Sequence, residues 1–210
     1  NKKFGVAQVS VAAASNPRLL GALRNAGIKM LCVGIESIND QTLKAMGKPF
    51  SAKQNKGAIS AFKDAGFWVH GMMMPGGDYD TRETLRETSE WAKNNLDSVQ
   101  YFPTGPLPGT CFSAKMEEEG RILTKSGHLY DGHHVLVRPK NFTPYELQTE
   151  IFEMYKDFYS FGNNLKRLKN SPDWKFAMGI LAYTTFFRGI SKVWNSNQTQ
   201  EHLRFLKSVS

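Results

Sequence analysis

KMLCVGI, residues 29–35, is the stretch whose reading decides the fold. Its near-continuous apolar character is that of a strand in a parallel sheet covered on both faces. On its N-terminal side, SNPRLLGALRNAG (15–27) predicts a helix. There Asn16 caps, Pro17 suits the first helical position, Leu19, Leu20 and Leu23 form an apolar stripe, and Gly27 ends it. FGVAQVS (4–10) before that helix reads as another strand. On the C-terminal side, SAKQNKGAISAFKDAG (51–66) predicts a helix opened by a Ser51/Gln54 capping box and stopped at Gly66. FWVHGMMM (67–74) follows as a strand, and Asp80 with Glu83 reads as the box opening the helix TRETLRETSEWAKNN. SVQYFP (98–103) is a fourth strand.

Strand and helix thus alternate at roughly 30-residue spacing, the signature of parallel β/α architecture with right-handed crossovers. A closed eight-stranded barrel takes about 250 residues, so four strands make an open sheet or part of a barrel. All four strand ends should open to one side. Gln8, Glu36, His70 and Asp78 are expected to line a shared cavity there, while Leu19, Leu23, Ile59, Phe62 and Leu85 are expected to be buried.

After Pro103 the texture changes, and a boundary near residue 110 is expected to separate the β/α part (1–110) from a mostly helical extension (111–210). PTGPLPGT (103–110) is turn-rich, with backbone set by Pro and Gly. FSAKMEEEG reads as a short helix closed by Gly120, and HLYDGHHVLVRP (128–139) as a turn with a short strand or extended loop. NFTPYELQTEIFEMYKDFYS (141–160) is the clearest helix, with Thr143 as cap, Pro144 at the first position and Glu146 completing the box. Further helices are expected from Pro172 to about Trp194 and from Thr199 to Lys207.

The chain has 210 residues and a net charge of +8. Residues 161–210 hold eight Lys or Arg against Asp173 and Glu201, so +6 of the charge lies in the tail. Nucleic acid, an anionic membrane surface or plain solvent could meet such a face. No basic–aromatic alternation supports base stacking, and nucleic acid is not expected as a partner. Phe176–Phe187 is too short to span a bilayer and could lie in an interface or pack as a core helix. The expected location is the cytoplasm, with peripheral membrane contact left open. Starting Asn1-Lys2-Lys3 without Met, the sequence is expected to be a piece of a longer protein.

Parallel β/α folds bind ligands beyond the carboxyl ends of their strands. Those ends offer Gln8 and Ser10, then Gly34, Glu36 and Ser37, then His70 leading to Asp78 and Asp80, while the fourth strand leads into PTGPLPGT. Each has a structural reading as well, since Ser37, Asn39 and Asp80 could be caps. Glu36 is harder to dismiss, because a carboxylate directly after VGI needs a partner, which a ligand hydroxyl or ammonium, a neighbouring lysine or backbone amides could supply. No GxGxxG, P-loop, HExxH or GxSxG is present. Cys32 and Cys111 make no metal spacing, and His128, His133, His134 and Asp131 fit no standard zinc site. The sequence assigns no catalytic residue and no metal ligand.

In order along the chain, GVAQVSV, LCVGIESINDQTLKAMGK, VHGMMMPGGDYDT, PLPGT and YDGHHVLVRPKNFTPYELQ resemble the radical S-adenosylmethionine (SAM) enzymes. Within these they are similar to the group with an N-terminal cobalamin-binding domain and a helical C-terminal extension, which includes hopanoid methylases. The resemblance implies the C-terminal half of a partial (β/α)6 TIM-like barrel, followed by that extension. It further implies SAM, a [4Fe–4S] cluster and cobalamin in the full-length protein, which would be a C-methyltransferase acting on an unactivated carbon. A radical SAM cyclase or rearrangement enzyme is the alternative within the family, and a noncatalytic ligand-binding or scaffold domain the alternative outside it. SAM-side positions implied by the resemblance are Gln8, Ser10, Glu36, Ser37, His70, Asp78 and Tyr101, with Glu36 matching the family's ribose-contacting residue. Implied partners are an apolar small-molecule substrate, a reductant such as flavodoxin or ferredoxin, and the missing N-terminal part of the same protein. The family's CxxxCxxC motif is absent from this sequence, so the fragment alone is expected to bind none of these cofactors and to be inactive.

Overall fold

A computed structural model describes residues 5–169, 192 and 194–210. The helix expected from Pro172 to Trp194, including the apolar run Phe176–Phe187, lies almost wholly outside the described residues. The chain divides into two compact units, Asn1–Thr104 and Gly105–Ser210.

The first unit is a four-stranded parallel sheet in the order β1 (Gly5–Val9), β2 (Ile28–Glu36), β3 (Trp68–Met73), β4 (Ser98–Tyr101). Four strands are described, where a complete partial barrel of this type has six. Crossovers are made by α1 (Pro17–Asn25), α3 (Ala52–Asp64) and α4 (Arg82–Asn95). Two further pieces were not expected: a 3-10 helix at Val11–Ser15 and the short α2 (Asp40–Ala45), whose cap is Asn39.

Helix starts follow their caps. Asn16 accepts from the Leu19 amide, and the Ser51/Gln54 box is present. The start of α4 departs from expectation. Thr81 and Thr84 form its capping box, and Asp80 is committed elsewhere.

The expectation that strand 29–35 is covered on both faces is corrected. Leu31, Val33, Ile35, Val69, Met73, Val99 and Tyr101 are all 0% exposed and share one face, against Ile59 and Phe62 of α3 and Leu85 and Ala92 of α4. Burying each such large side chain contributes about 1.5–3 kcal/mol. The other face is half-open: Gln8 is exposed, and Met30, Cys32, Gly34, Met72 and Gln100 are half-buried. In α1, Leu20 is buried, Leu23 half-buried, and Leu19 exposed at 39%. The expected burial of Leu19 is corrected, because the helix turns Leu20 inward in its place.

The second unit is mainly helical, with α5 (Cys111–Glu118), α6 (Pro144–Phe158), α7 (Phe161–Lys169) and α8 (Asn197–Ser208). Between α5 and α6, an antiparallel bridge joins Ile122 to Val137. The Thr143/Glu146 box opens α6, whose Leu147, Ile151, Met154, Tyr155 and Phe158 are buried. Among the described residues, no helix is long and apolar enough to cross a membrane.

Candidate functional site

Parallel pairing aligns side chains in rows, and one polar row crosses the half-open face. Gln8 pairs with Cys32, Cys32 with His70, and His70 with Ser98. Cross-strand neighbours in a parallel sheet point to the same side, so all four strands contribute to this row. His70 Nδ1 lies 2.8 Å from Ser98 Oγ. Burial pushes the His70 imidazole below the usual histidine range, with a hydrogen bond to Gln100 opposing, so this histidine is neutral near pH 7. Burial also raises the Cys32 thiol above its ordinary value.

One step nearer the strand ends, Gly34, Met72 and Gln100 form the next row on that face. Here the backbone changes character. The β2–β3 register shifts between Gly34 and Glu36, and Glu36 is the one non-glycine residue with positive φ (62°) among those described. The Ser37 amide donates to Ile35 O at 2.8 Å, closing a γ-turn around Glu36. For an L-residue this region costs about 1–2 kcal/mol, so the surroundings must hold it. Asn55, 2% exposed on α3, does so from beneath: its amide donates to Ile35 O at 2.9 Å and to Ser37 O at 3.2 Å, clasping the turn on both sides. From the neighbouring strand end, the Met74 amide donates to Glu36 O at 2.7 Å.

The Glu36 carboxylate folds back over Gly34. A Cβ at position 34 would lie 3.0 Å from Glu36 Oε1, closer than all but a few real contacts, so a side chain there would displace the carboxylate. Lys48 Nζ sits 2.8 Å from the same Oε1. The partner that the sequence required for Glu36 is therefore a neighbouring lysine, one of the alternatives the sequence left open, and it stands twelve residues downstream.

The loop PGGDYDT after β3 answers to a different need. Asp80 is 3% exposed and accepts from the Thr42 hydroxyl at 2.7 Å and from the amides of Gly76 and Gly77 at 2.9 and 3.0 Å. Burial raises its carboxyl above the usual range, with these three hydrogen bonds opposing. Asp80 thus fastens the loop to α2 and does not cap α4. Asp78 is half-buried in the same turn.

Gln8, Glu36 and His70 accordingly share the half-open face. Ser10 is exposed and caps the 3-10 helix by accepting from the Ala12 amide, and buried Ser37 accepts from the Asn39 amide. Tyr101 stands apart. It pairs with Met73 on the helix-covered face and is 0% exposed, so it does not join the others.

The second unit has its own polar cluster in YDGHH. His134 Nδ1 is 2.9 Å from Asp131 Oδ2, its Nε2 is 3.1 Å from Thr199 Oγ1, and its ring meets that of His202 edge-on at 4.9 Å. His202 Nε2 donates to Val135 O at 3.0 Å. Burial, reinforced by His134, lowers His202 to about 4. These groups fasten α8 to the loop. No group of three or more metal-ligating side chains of the His, Cys, Asp or Glu type occurs among the described residues.

Residues 2–92 match the family model of the Radical SAM superfamily. Over 160 residues, 75% of this chain and 36% of the relative, the sequence is 26% identical to bacteriochlorophyllide d C-8(2)-methyltransferase of Chlorobaculum tepidum. Over 142 residues, 67% of this chain and 23% of the relative, it is 26% identical to anaerobic magnesium-protoporphyrin IX monomethyl ester cyclase of Cereibacter sphaeroides. The chain therefore spans about a third or less of the length of these relatives. In fold it is similar to the cobalamin-dependent S-adenosylmethionine radical enzyme OxsB, with a TM-score of 0.55 and 15% identity over 99% of this chain and 38% of that one. Since the family match starts at residue 2, it covers the N-terminal part of this chain, and the expectation of a missing N-terminal part as partner is corrected. A [4Fe–4S] cluster takes cysteine thiolates as ligands. This chain offers Cys32 in the middle of β2 and Cys111 at the start of α5, and that donor set does not fit the cluster. The ends of β1, β2 and β3 all lie within residues 2–92, the region that matches the Radical SAM superfamily model.

Proposed function

We propose that the intact protein is a cobalamin-dependent radical SAM C-methyltransferase acting on an unactivated carbon, and that this chain supplies the SAM-binding strand ends. The observation that carries the proposal is the strained turn at Glu36: backbone strain of this kind is held where a site needs it. Glu36 is read as accepting hydrogen bonds from the ribose hydroxyls of SAM. Gln8 and His70 are read as facing the ligand from the neighbouring strands, and Ser10, Ser37 and Asp78 as shaping the loops around it. Bound SAM supplies the methyl group or the carbon-centred radical, and the chain's residues orient it and keep water away. A neutral His70, tied to Ser98, could donate or accept a proton at its other ring nitrogen without bringing a charge onto the sheet face. Support for methyl transfer comes from the Chlorobaculum relative, and support for cobalamin from the fold shared with OxsB.

The magnesium-protoporphyrin cyclase relative favours a second reading, ring closure initiated in the same site. The two are separated by incubating the anaerobically purified intact protein with SAM carrying a deuterated methyl group. Label recovered in the organic product supports methyl transfer; 5′-deoxyadenosine with an unlabelled, oxidised product supports cyclisation; neither outcome would overturn the enzymatic reading. Residues 1–210 alone should form no 5′-deoxyadenosine, because two distant cysteines cannot hold the cluster.

A further inference from the structure

We propose that Lys48 is a positioning residue: its ammonium pins one oxygen of the Glu36 carboxylate so that the other is presented to the hydroxyls of a ligand. The inference rests on reading Glu36 as a ligand carboxylate. It adds a residue that neither the sequence reading nor the likeness to known proteins supplies.

The lysine is delivered by a built device. Helix α2 ends in a Schellman motif, in which the Gly47 amide donates to Lys44 O at 3.0 Å and the Lys48 amide donates to Leu43 O at 2.9 Å. Gly47 takes the left-handed conformation that this motif demands, with φ 67°. Both ends of the α2 segment are fastened further. The Asn39 side chain donates to Tyr79 O, Thr42 donates to buried Asp80, and Asp40 accepts from the Ala52 amide at 2.6 Å. The backbone carrying Lys48 is therefore fixed, which places its ammonium within reach of Oε1.

On the receiving side, Glu36 is held from below by Asn55 and lies over Gly34. Its side chain is 16% exposed and that of Lys48 39%. The pair is thus partly open to solvent. Lys48 and Oε1 make the only hydrogen bond found for this carboxylate among the described residues. Oε2 keeps its acceptor capacity, which suits a hydroxyl or vicinal diol. Removing Lys48 frees the carboxylate to rotate, and ligand binding must then fix it again.

The test is calorimetric titration of the intact protein with SAM, with thermal melts of every variant. Lys48→Met should weaken SAM about fivefold, the scale of a partly exposed ion pair, with the melt little changed. Lys48→Arg should restore affinity to within about twofold. Gly47→Ala keeps the charge but disturbs the motif, so it should weaken SAM by a smaller factor. In a Glu36→Ala background, Lys48→Met should have no further effect. If Glu36→Ala weakens SAM while Lys48→Met does not, the positioning role is overturned and the Glu36 reading stands. If Lys48→Met weakens SAM equally in both backgrounds, the lysine touches the ligand directly and the role assigned here is wrong. Unchanged affinity in Glu36→Ala overturns the underlying reading itself.

Discussion

The two units treat their polar side chains in opposite ways. In the second, Gln148, His134 and His202 are buried and spend their hydrogen bonds on the protein: Gln148 accepts from the Val135 amide at 2.7 Å and donates to His133 O at 2.9 Å. In the first, the row Gln8, Cys32, His70, Ser98 runs from exposed Gln8 and half-buried Cys32 to His70 and Ser98, which are buried and paired with each other. Burial with partners fastens elements together, whereas the open end of the row, at Gln8 and Cys32, leaves polar groups accessible. A polar residue in a strand or helix therefore indicates function only after its partners are counted.

The sharpest way to break this contrast is Gln148→Leu. It would leave a buried amide and a partly buried carbonyl without partners, each costing about 1–3 kcal/mol when buried, so chemical denaturation should show a loss of about 2–4 kcal/mol. Next in size is acid. His202 is held at about 4 in the folded unit against an ordinary 6.5, so between these values the unfolded chain binds the extra proton. The stabilisation is complete above pH 6.5 and falls away as pH drops toward 4, by on the order of 3 kcal/mol. His133, also lowered chiefly by burial, acts in the same sense. A His202→Leu variant should flatten the acid limb of the stability profile; an unchanged limb would refute the assignment.

Smaller effects belong to the sheet. Gly34→Ala should cost about 1 kcal/mol or less in stability yet weaken SAM, because the added Cβ meets Glu36 Oε1. Cys32→Ser, on the half-open face, should change the midpoint by no more than about 1 kcal/mol, whereas the same change at a fully buried position would cost more. Equal losses at the two kinds of position would erase the distinction drawn between the faces.

Much of the fold could be read from local chemistry, because caps act within four residues: Asn16, Ser51 and Thr143 each named their helix. Ambiguity began where several good caps stood together. In DYDT, both aspartates and Thr81 can cap, and the choice is made by Thr42, nearly forty residues away, which captures Asp80. The faces of the strands were harder still. Nothing local to SVQYFP fixes its register, so Tyr101 looked like a mouth residue although it pairs with Met73 on the covered side. Leu19 and Leu20 are adjacent, and only packing selects which turns inward. Glu36 stood out because a carboxylate at a strand end needs a partner. Lys48 and Asn55, which satisfy and hold it, could not be singled out among the many lysines and asparagines without the tertiary fold.

The Glu36 turn also has a consequence for protein engineering. Glycine adopts this positive φ without penalty, so Glu36→Gly should raise the melting temperature by relieving the turn, provided the lost ion pair contributes less than the strain. A stabilisation campaign ranking single substitutions by thermal shift would then promote this one early and remove the carboxylate on which ligand recognition is proposed to depend. Libraries built on this scaffold should hold position 36 fixed and seek their gains on the helix-covered face.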